Sequence, residues 1–281
     1  MRAYVINLAR SPERRAHMVA ELSKSGIDYE IVQAVDGREL DFHDPRTVAN
    51  VEPSVLDSNL LLPNQIACVL SHLHAYQKIL DDGLDYSFVF EDDVILPSDL
   101  GSLADAIAKH LAGAEIVLLN FDSKDTCRVT REGSVELPHS RLLVLPVDVT
   151  QPVSGAAYII TRQACERMIE QLLPVRAKVD DWAQRYNEGM LDRVRCVVPL
   201  PVTKNPAFAS TIEYYSPDSL KARALAAVMR YDPGILGKAI AYRRQRIWRS
   251  WSRVESWRLS AIPRMVYRRN SKECPFSRQS A

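Results

Sequence analysis

Apolar and polar positions alternate in a regular way along the first 120 residues. Residues 4–8 form an apolar, β-branched run that predicts a strand, and Ser11 with Pro12 opens a helix that ends at Gly26. The same reasoning predicts further strands at 29–35, 86–90 and 115–119, and further helices at 63–82 and 98–111. Such alternation predicts an α/β fold in which helices cover a largely parallel sheet.

The pattern becomes less regular in the second half of the chain. Residues 36–62 contain Pro45 and Pro53 and are predicted to be irregular. Within 126–150, short strands are expected around Glu132-Gly133. Beyond them, strands are predicted at 156–160 and 195–198, and helices at 162–173 and 180–188.

Charge divides the chain into two unequal parts. Residues 1–237 carry 24 Lys/Arg and 33 Asp/Glu, a net charge of −9. Residues 238–281 carry 12 Lys/Arg against Glu255 and Glu273, a net charge of +10. We therefore expect an acidic α/β domain over 1–236 and a basic, aromatic tail over 237–281.

Five cysteines are scattered along the chain without close spacing. Cys68, Cys165 and Cys196 occupy apolar or helical contexts, where thiols are usually inert, so neither a zinc site nor a disulfide framework is predicted. The apolar run at 4–8 is too short for a signal peptide, and no apolar stretch reaches the ~18 residues of a membrane span. These features lead us to expect a cytoplasmic protein.

Three adjacent carboxylates, Glu91-Asp92-Asp93, follow directly after the predicted strand 86–90. Their mutual repulsion is unfavourable at the end of a buried strand unless a cation or hydrogen bonds offset it. In an extended backbone Glu91 and Asp93 point to one side and Asp92 to the other. Oxygen ligands of this kind suit Mg²⁺ or Mn²⁺. The alternative is a solvated acidic turn.

Other candidate positions give weaker signals. Asp180 and Asp181 form a second acidic pair before Trp182, although aspartate at this position is also a common helix cap. His72 and His74 lie on the apolar helix 63–82, where packing is the simpler role.

Loops that bind phosphate through glycine are not recognisable in the sequence. Walker, dinucleotide-binding and nucleophile-elbow patterns are missing, as is HExxH. Gly37 and Gly155 are isolated, so turns or close packing are the expected reasons for them.

Four segments in sequence order resemble glycosyltransferase family 25, the group of bacterial lipooligosaccharide galactosyltransferases that is related to animal collagen galactosyltransferases. They read AYVINLARSPERR from residue 3, IACVLSHLHAYQKIL from 66, YSFVFEDDVIL from 86 and VSGAAYIITRQACERMI from 153. Residues 179–182 and 209–212 continue the likeness, which spans roughly residues 3–213. Ala67 stands where the family usually has glycine, and no histidine follows His139, so the late histidine ligand of some related enzymes is missing.

This resemblance implies a GT-A-like, Rossmann-type domain with a mixed sheet that binds a UDP-sugar through Mn²⁺ or Mg²⁺. It implies two sets of site residues on the donor side. The metal ligands would be Asp93, Glu91 and Asp92, and the donor contacts would be Asn7, Arg14, Asp36, Glu91 and Lys204.

The resemblance also places Asp180 and Asp181 on the acceptor side. Asp181 is expected to be the general base, with Trp182 stacking on a sugar ring, while Asp180 caps the helix or binds a sugar hydroxyl. The implied reaction is inverting transfer of galactose from UDP-galactose to a lipooligosaccharide or lipopolysaccharide acceptor, giving a β-linked product. The alternatives are a UDP-glucose or UDP-N-acetylhexosamine donor, or a non-catalytic, membrane-bound saccharide-binding scaffold.

The tail adds a second kind of partner. Residues 238–272 contain eleven Lys/Arg interleaved with Trp248, Trp251 and Trp257, and on a helix the apolar residues fall near one stripe. This pattern favours an interfacial helix on an anionic membrane, which would place the protein at the inner face of the inner membrane beside a lipid-linked oligosaccharide acceptor. A helix packed on the domain is the alternative, and nucleic-acid binding is the least favoured partner.

Overall fold

A nine-stranded mixed sheet forms the framework of the computed structural model, which describes residues 1–58, 61–123, 127–208 and 258–260. The strands are β1 (Ala3–Asn7), β2 (Tyr29–Gln33), β3 (Tyr86–Glu91), β4 (Val94–Ile95), β5 (Glu115–Leu118), β6 (Arg128–Leu137), β7 (Arg141–Pro146), β8 (Ala157–Thr161), β9 (Arg193–Val198), β10 (Thr203–Lys204) and β11 (Arg258–Ser260). The helices are α1 (Pro12–Ser25), α2 (Pro45–Ala49), α3 (Pro53–Ser58), α4 (Pro63–Asp81), α5 (Leu100–Ala108), α6 (Arg162–Gln171) and α7 (Trp182–Asn187).

The strand order of the large sheet is β11-β6-β7-β9-β5-β8-β3-β1-β2. Strands β2, β1 and β3 are parallel, and β8 runs antiparallel between β3 and β5. Strands β5 and β9 are parallel again, whereas β7 is antiparallel to both of its neighbours. Strands β4 and β10 pair separately as a short antiparallel ribbon. The expected α/β class with a mixed sheet is confirmed.

The central strands are buried on both faces, which explains their continuous apolar sequences. In β1, Tyr4 and Ile6 pack on one face of the sheet with α4 and α6, whereas Ala3 and Val5 pack on the other face with α1 and α5. The period of two along a strand therefore assigns each side chain to one of two cores.

Several predicted boundaries are confirmed, and two expectations are wrong. Helix α1 ends at Gly26, whose positive φ of 66° suits a left-handed C-cap. The segment predicted to be irregular contains α2 and α3, because Pro45 and Pro53 each occupy the first helical position. The expectation of short strands around Glu132-Gly133 is also wrong, because both residues lie within the ten-residue strand β6. Gly133 lies where β6 changes register, and the chain reverses later, through residues 138–140.

Part of the tail belongs to the sheet. Residues Arg258–Ser260 form β11, which pairs in parallel with β6, so they are a strand and not part of the expected helix. Pairing with β6 supplies backbone hydrogen bonds that an edge strand would otherwise leave to solvent. The rest of the tail, including its three tryptophans, lies outside the described residues, as do residues 209–212. Among the described residues, no helix combines the length and apolar character required to cross a membrane.

Candidate functional site

The carboxyl end of β3 carries the acidic triplet, and β1 brings its own carboxyl end alongside. Asn7, the last residue of β1, donates from Nδ2 to Asp92 Oδ2 at 2.7 Å. Arg14, on the first turns of α1, donates from Nη1 to Asp92 Oδ1 at 2.7 Å. All three residues are buried. Asp92 is thus held through both of its oxygens, and these two contacts fix the triplet against β1 and α1.

Asp93 has a different environment from its neighbour. Its Oδ2 lies 3.7 Å from Arg14 Nη1, and its Oδ1 is buried without a hydrogen-bond partner among the described residues. Burial, together with the charge of Glu91, raises the pKa of Asp93 to about 6, although Arg14 acts in the opposite direction. A buried carboxylate oxygen without a donor is the kind of group that a bound cation would satisfy.

Glu91 faces away from Asn7 and towards α4. Its backbone N–H donates to the carbonyl of Ala156 on the approach to β8, at 2.8 Å. Its Oε1 lies 3.9 Å from Nε2 of His72, and its side chain stays 28% exposed, so it reaches the surface of the site. Gly155 closes the same space, because a Cβ there would lie 3.4 Å from both Glu91 Oε1 and His72 Cε1. Of the two roles expected for Gly155, a turn or close packing, these distances favour a contact role beside Glu91 and His72.

Lys204 reaches the triplet through the short ribbon. In this ribbon β10 pairs with β4, the strand directly after the triplet, and Lys204 lies opposite Val94. The Nζ of Lys204 donates to Asp122 Oδ2 at 2.6 Å. Burial would lower the pKa of Lys204, but Asp122 raises it, and the charges of Glu91 and Asp93 add to this effect. A second cation, besides Arg14, therefore lies within electrostatic reach of the carboxylates.

The two residues of the second acidic pair, Asp180 and Asp181, have different environments. Asp181 is the N-cap of α7, and its Oδ1 accepts from the backbone N–H of Gln184 at 3.1 Å. The expectation that Asp180 would be the cap is wrong, because the chain turns into the helix one residue later. Burial raises the pKa of Asp180, and the charge of Glu91 adds to the shift, whereas Lys178 opposes it. Asp180 thus belongs electrostatically to the triplet.

Trp182 does not offer a stacking surface for a sugar. It is almost fully buried, and its indole N–H donates to the carbonyl of Ser154 at 3.1 Å. Its ring meets Tyr158 edge to face, with 5.4 Å between centroids. The expected contact with a sugar ring is therefore wrong, and Trp182 instead packs α7 against the sheet.

Asp36 lies in a second group of charged residues, with Arg10 and Arg38. Its carboxylate accepts from Arg10 Nε at 2.6 Å and from Arg38 Nη2 at 2.8 Å. The hydrogen bonds from Arg38, followed by those from Arg10, hold the pKa of Asp36 far below its usual range despite some desolvation. Its contacts are thus with arginines, and its contact with the donor stays a prediction.

Two residues of the site were missed by the sequence reasoning. His72 is fully buried, its Nδ1 pairs with the hydroxyl of Tyr158 at 2.6 Å, and that hydroxyl pairs with Tyr76 at 2.8 Å. Its Nε2 has no hydrogen-bond partner in the described part of the chain. Cys68 lies one helical turn earlier, and the ligand atoms of Cys68, His72 and Glu91 are within 4.8 Å of one another. The i, i+4 spacing on α4 was the available signal.

The sequence is similar to a known protein family and to several of its members. The family model described as "Glycosyltransferase family 25 (LPS biosynthesis protein)" matches residues 1–183. The "Lacto-N-neotetraose biosynthesis glycosyltransferase LgtE" of Neisseria meningitidis serogroup B is 31% identical over 198 residues, which cover 65% of each chain. The "Lipooligosaccharide biosynthesis protein lic2B" of Haemophilus influenzae is 25% identical over 169 residues, covering 59% of this chain and 61% of that protein.

One mammalian relative carries a different kind of name. The "Inactive glycosyltransferase 25 family member 3" of Mus musculus is 28% identical over 183 residues, which cover 61% of this chain and 31% of the mouse protein. The chain thus spans 65% of the length of the Neisseria relative and about a third of the mouse one. The match over residues 1–183 includes the triplet, Asn7, Arg14 and the second acidic pair. On this match over more than half of its length, the chain belongs to glycosyltransferase family 25.

Proposed function

We propose that this protein transfers a sugar from a UDP-sugar to a saccharide of a lipooligosaccharide or lipopolysaccharide. The observation that carries the proposal is the triplet at the end of β3, where Asp93 keeps one buried oxygen without a donor among the described residues. Two cations, Arg14 and Lys204, lie within electrostatic reach of these carboxylates. Cationic groups beside a metal-binding carboxylate suit a diphosphate, and the family relationship supports glycosyl transfer.

A divalent cation, Mn²⁺ or Mg²⁺, is part of this proposal. Glu91 and Asp93 would hold it, because one oxygen of Asp93 has no donor among the described residues and the side chain of Glu91 is partly exposed to the site. When bound, the cation would act as a Lewis acid that offsets charge on the leaving diphosphate. Asp92 would serve as the anchor of the triplet, because Asn7 and Arg14 occupy both of its oxygens.

We further propose that Asp180 is the general base. One carboxylate oxygen of Asp181 accepts the capping hydrogen bond of α7. Burial and the charge of Glu91 raise the pKa of Asp180, which makes Asp180 the better proton acceptor. In the proposed inverting reaction the acceptor hydroxyl attacks the anomeric carbon and its proton passes to Asp180. The bond from that carbon to the UDP oxygen breaks, and an α-linked donor gives a β-linked product.

The test is a panel of UDP-galactose, UDP-glucose and UDP-N-acetylhexosamines, with and without Mn²⁺, on a lipooligosaccharide acceptor. We expect transfer from UDP-galactose that a chelator abolishes. Binding of every donor without turnover would replace the proposal with a saccharide-binding scaffold, in line with the inactive mouse relative. An α-linked product would contradict the inverting mechanism.

The pair Asp180→Asn and Asp181→Asn tests the base assignment with a matched control. Asparagine is as good an N-cap as aspartate, so Asp181→Asn should fold and transfer at close to the parent rate. Asp180→Asn should lose most of kcat, by about 10²-fold or more, and keep its affinity for UDP. The opposite result would restore Asp181 as the base.

We also propose an anionic membrane surface as a partner of residues 238–272. The support is their composition, eleven Lys/Arg with three tryptophans. A site at the inner leaflet would bring the protein to a lipid-linked acceptor. A peripheral, cytoplasmic location follows from this part of the proposal.

A further inference from the structure

A thiol, an imidazole and a carboxylate converge behind the acidic triplet. Cys68 and His72 lie one turn apart on α4, and Glu91 meets them from the end of β3. Their ligand atoms all lie within 4.8 Å of one another, and His72 Nε2 is 3.9 Å from Glu91 Oε1. The sheet thus adds a carboxylate to a pair of ligands that the helix itself brings together.

The unsatisfied nitrogen of His72 is the feature that needs an explanation. His72 is fully buried, and its Nε2 has no hydrogen-bond partner among the described residues. A buried polar atom without a partner is costly, because the loss of its hydration is not offset by a hydrogen bond. The other nitrogen, Nδ1, contacts Tyr158, which in turn contacts Tyr76. If Nδ1 donates along this chain, a lone pair on Nε2 points at Glu91, as in metal-binding histidines whose second nitrogen is fixed by a hydrogen bond.

The size of the cluster suits a metal ion. Tetrahedral Zn²⁺ with bonds of about 2.0–2.3 Å separates its ligand atoms by roughly 3.3–3.6 Å. The 3.9 Å between His72 Nε2 and Glu91 Oε1 would need to shorten by about half an ångström, and the separations from the thiol, which are at most 4.8 Å, by up to about 1.3 Å. Gly155 lies against the same two groups, and because it lacks a Cβ it leaves them this freedom.

We propose that Cys68, His72 and Glu91 bind one divalent cation of the zinc class. Thiolate and imidazole ligands select Zn²⁺ and Co²⁺ over Mg²⁺ and Mn²⁺, which prefer oxygen. On binding, the Cys68 thiol loses its proton to solvent and the thiolate becomes a ligand. Three protein ligands leave a fourth position for water or a solute on the exposed side of Glu91. The proposal does not depend on the transfer reaction, and Glu91 is the single residue it shares with the triplet.

Cobalt tests the ligand set directly. The full chain is stripped with a chelator, dialysed and titrated with Co²⁺ alone. We expect one equivalent to bind with a thiolate-to-cobalt charge-transfer band, which Zn²⁺ then removes. Cys68→Ala should abolish the band, whereas Cys165→Ala, which removes a buried thiol on α6, should keep it. Asp93→Asn should also keep it, which separates this site from the proposed donor metal. Absence of the band in the parent, or its survival in Cys68→Ala, would overturn the proposal.

A second measurement needs no variant. Iodoacetamide labelling of Cys68 in the parent is followed by mass spectrometry at increasing Zn²⁺. At a free Zn²⁺ concentration 100 times its Kd, labelling should slow by about 100-fold, because only the metal-free fraction reacts. Mg²⁺ at the same concentration should have no effect. A labelling rate that ignores saturating Zn²⁺ would also overturn the proposal, whatever the stability of the variants.

Discussion

Replacing Asp92 and Asp93 one at a time should change the stability of the protein in opposite directions. The two residues are adjacent and both are largely buried, but Asp92 is saturated by Asn7 and Arg14 whereas Asp93 keeps an oxygen without a donor among the described residues. The isosteric variants Asp92→Asn and Asp93→Asn therefore remove the same charge from two different environments. Each serves as the control for the other.

Asp92→Asn should destabilise the fold. Removing one partner of a buried ion pair costs about 3–5 kcal/mol because the other charge stays behind. Arg14 retains Asp93 at 3.7 Å, so we expect a cost at or just below the lower end of this range, ~2–3 kcal/mol. For a domain of this size that corresponds to a decrease in Tm of about 5–10 °C.

Asp93→Asn should instead stabilise the metal-free protein. Burial and the charge of Glu91 raise the pKa of Asp93 to about 6, so ionising this carboxyl costs more in the folded protein than in the unfolded chain. A difference of one between the two pKa values corresponds to about 1.4 kcal/mol. The pKa of about 6 already includes the attraction to Arg14, so the full rise sets an upper bound of ~3 kcal/mol on the net gain at pH 7, and we expect ~1–3 kcal/mol. The unfolded chain ionises this carboxyl above about pH 4, whereas the folded parent keeps the proton until about pH 6, so the gain should grow between about pH 4 and pH 6 and stay constant above.

Thermal unfolding in excess chelator, followed by circular dichroism at pH 4 and pH 7, measures both effects. The chelator excludes any metal that the two variants would bind differently. Equal shifts in Tm for the two variants would refute this reasoning, because they would mean that the environments of the two carboxylates do not differ. A stability gain of Asp93→Asn that persists at pH 4 would refute the attribution to ionisation.

Three further changes probe other parts of the molecule. Gly37→Ala should lower the free energy of unfolding in urea by about 1–3 kcal/mol, since its Cβ would lie 2.5 Å from a backbone atom of α4. The control is Gly101→Ala on α5, where the nearest atom is 3.9 Å away, and it should be neutral or slightly stabilising in the same measurement. In urea unfolding, Arg195→Met should cost about 2–4 kcal/mol, because buried Glu115 loses the closer of its two arginines and keeps only Arg193 at 3.8 Å. Adding Glu115→Gln should recover part of this loss. Truncation after Gly237 should abolish salt-sensitive sedimentation with anionic vesicles, to which each basic residue contributes about 1 kcal/mol, and unchanged sedimentation would reject the membrane proposal.

Local patterns were sufficient for the elements that carry the site. The apolar run before Glu91 has the length and composition of a buried strand, and Gly26 ends α1 because few other residues accept its φ. Gly133 favours a break between short strands, but the chain continues through it in β6 with a change of register and reverses only after Leu137. The structure instead uses His139 and Ser140 at positive φ, a choice that local preference disfavours and that the pairing of β6 with β7 imposes.

Contacts across the sheet were beyond such reasoning. Asp180 and Asp181 have the same capping preference, and only the packing of α7 decides which of them caps and which faces Glu91. The link from His72 to Tyr158 depends on β8 lying beside β3, which follows from the strand order and not from any local pattern. Sequence reasoning therefore found the triplet but not the thiol and imidazole behind it.

The antiparallel strand β8 also affects the order in which the sheet can form during synthesis of the chain. Strand β3 ends at Glu91, but β8, which pairs with it, begins only at Ala157, about 65 residues later. At a synthesis rate of about 5–20 residues per second, one edge of β3 stays unpaired for roughly 3–13 seconds before β8 is synthesised. During that interval the apolar segment Ser87–Phe90 belongs to an open sheet edge, the kind of surface that pairs with other chains. Nascent chains should therefore depend on ribosome-associated chaperones until residue 161 has emerged.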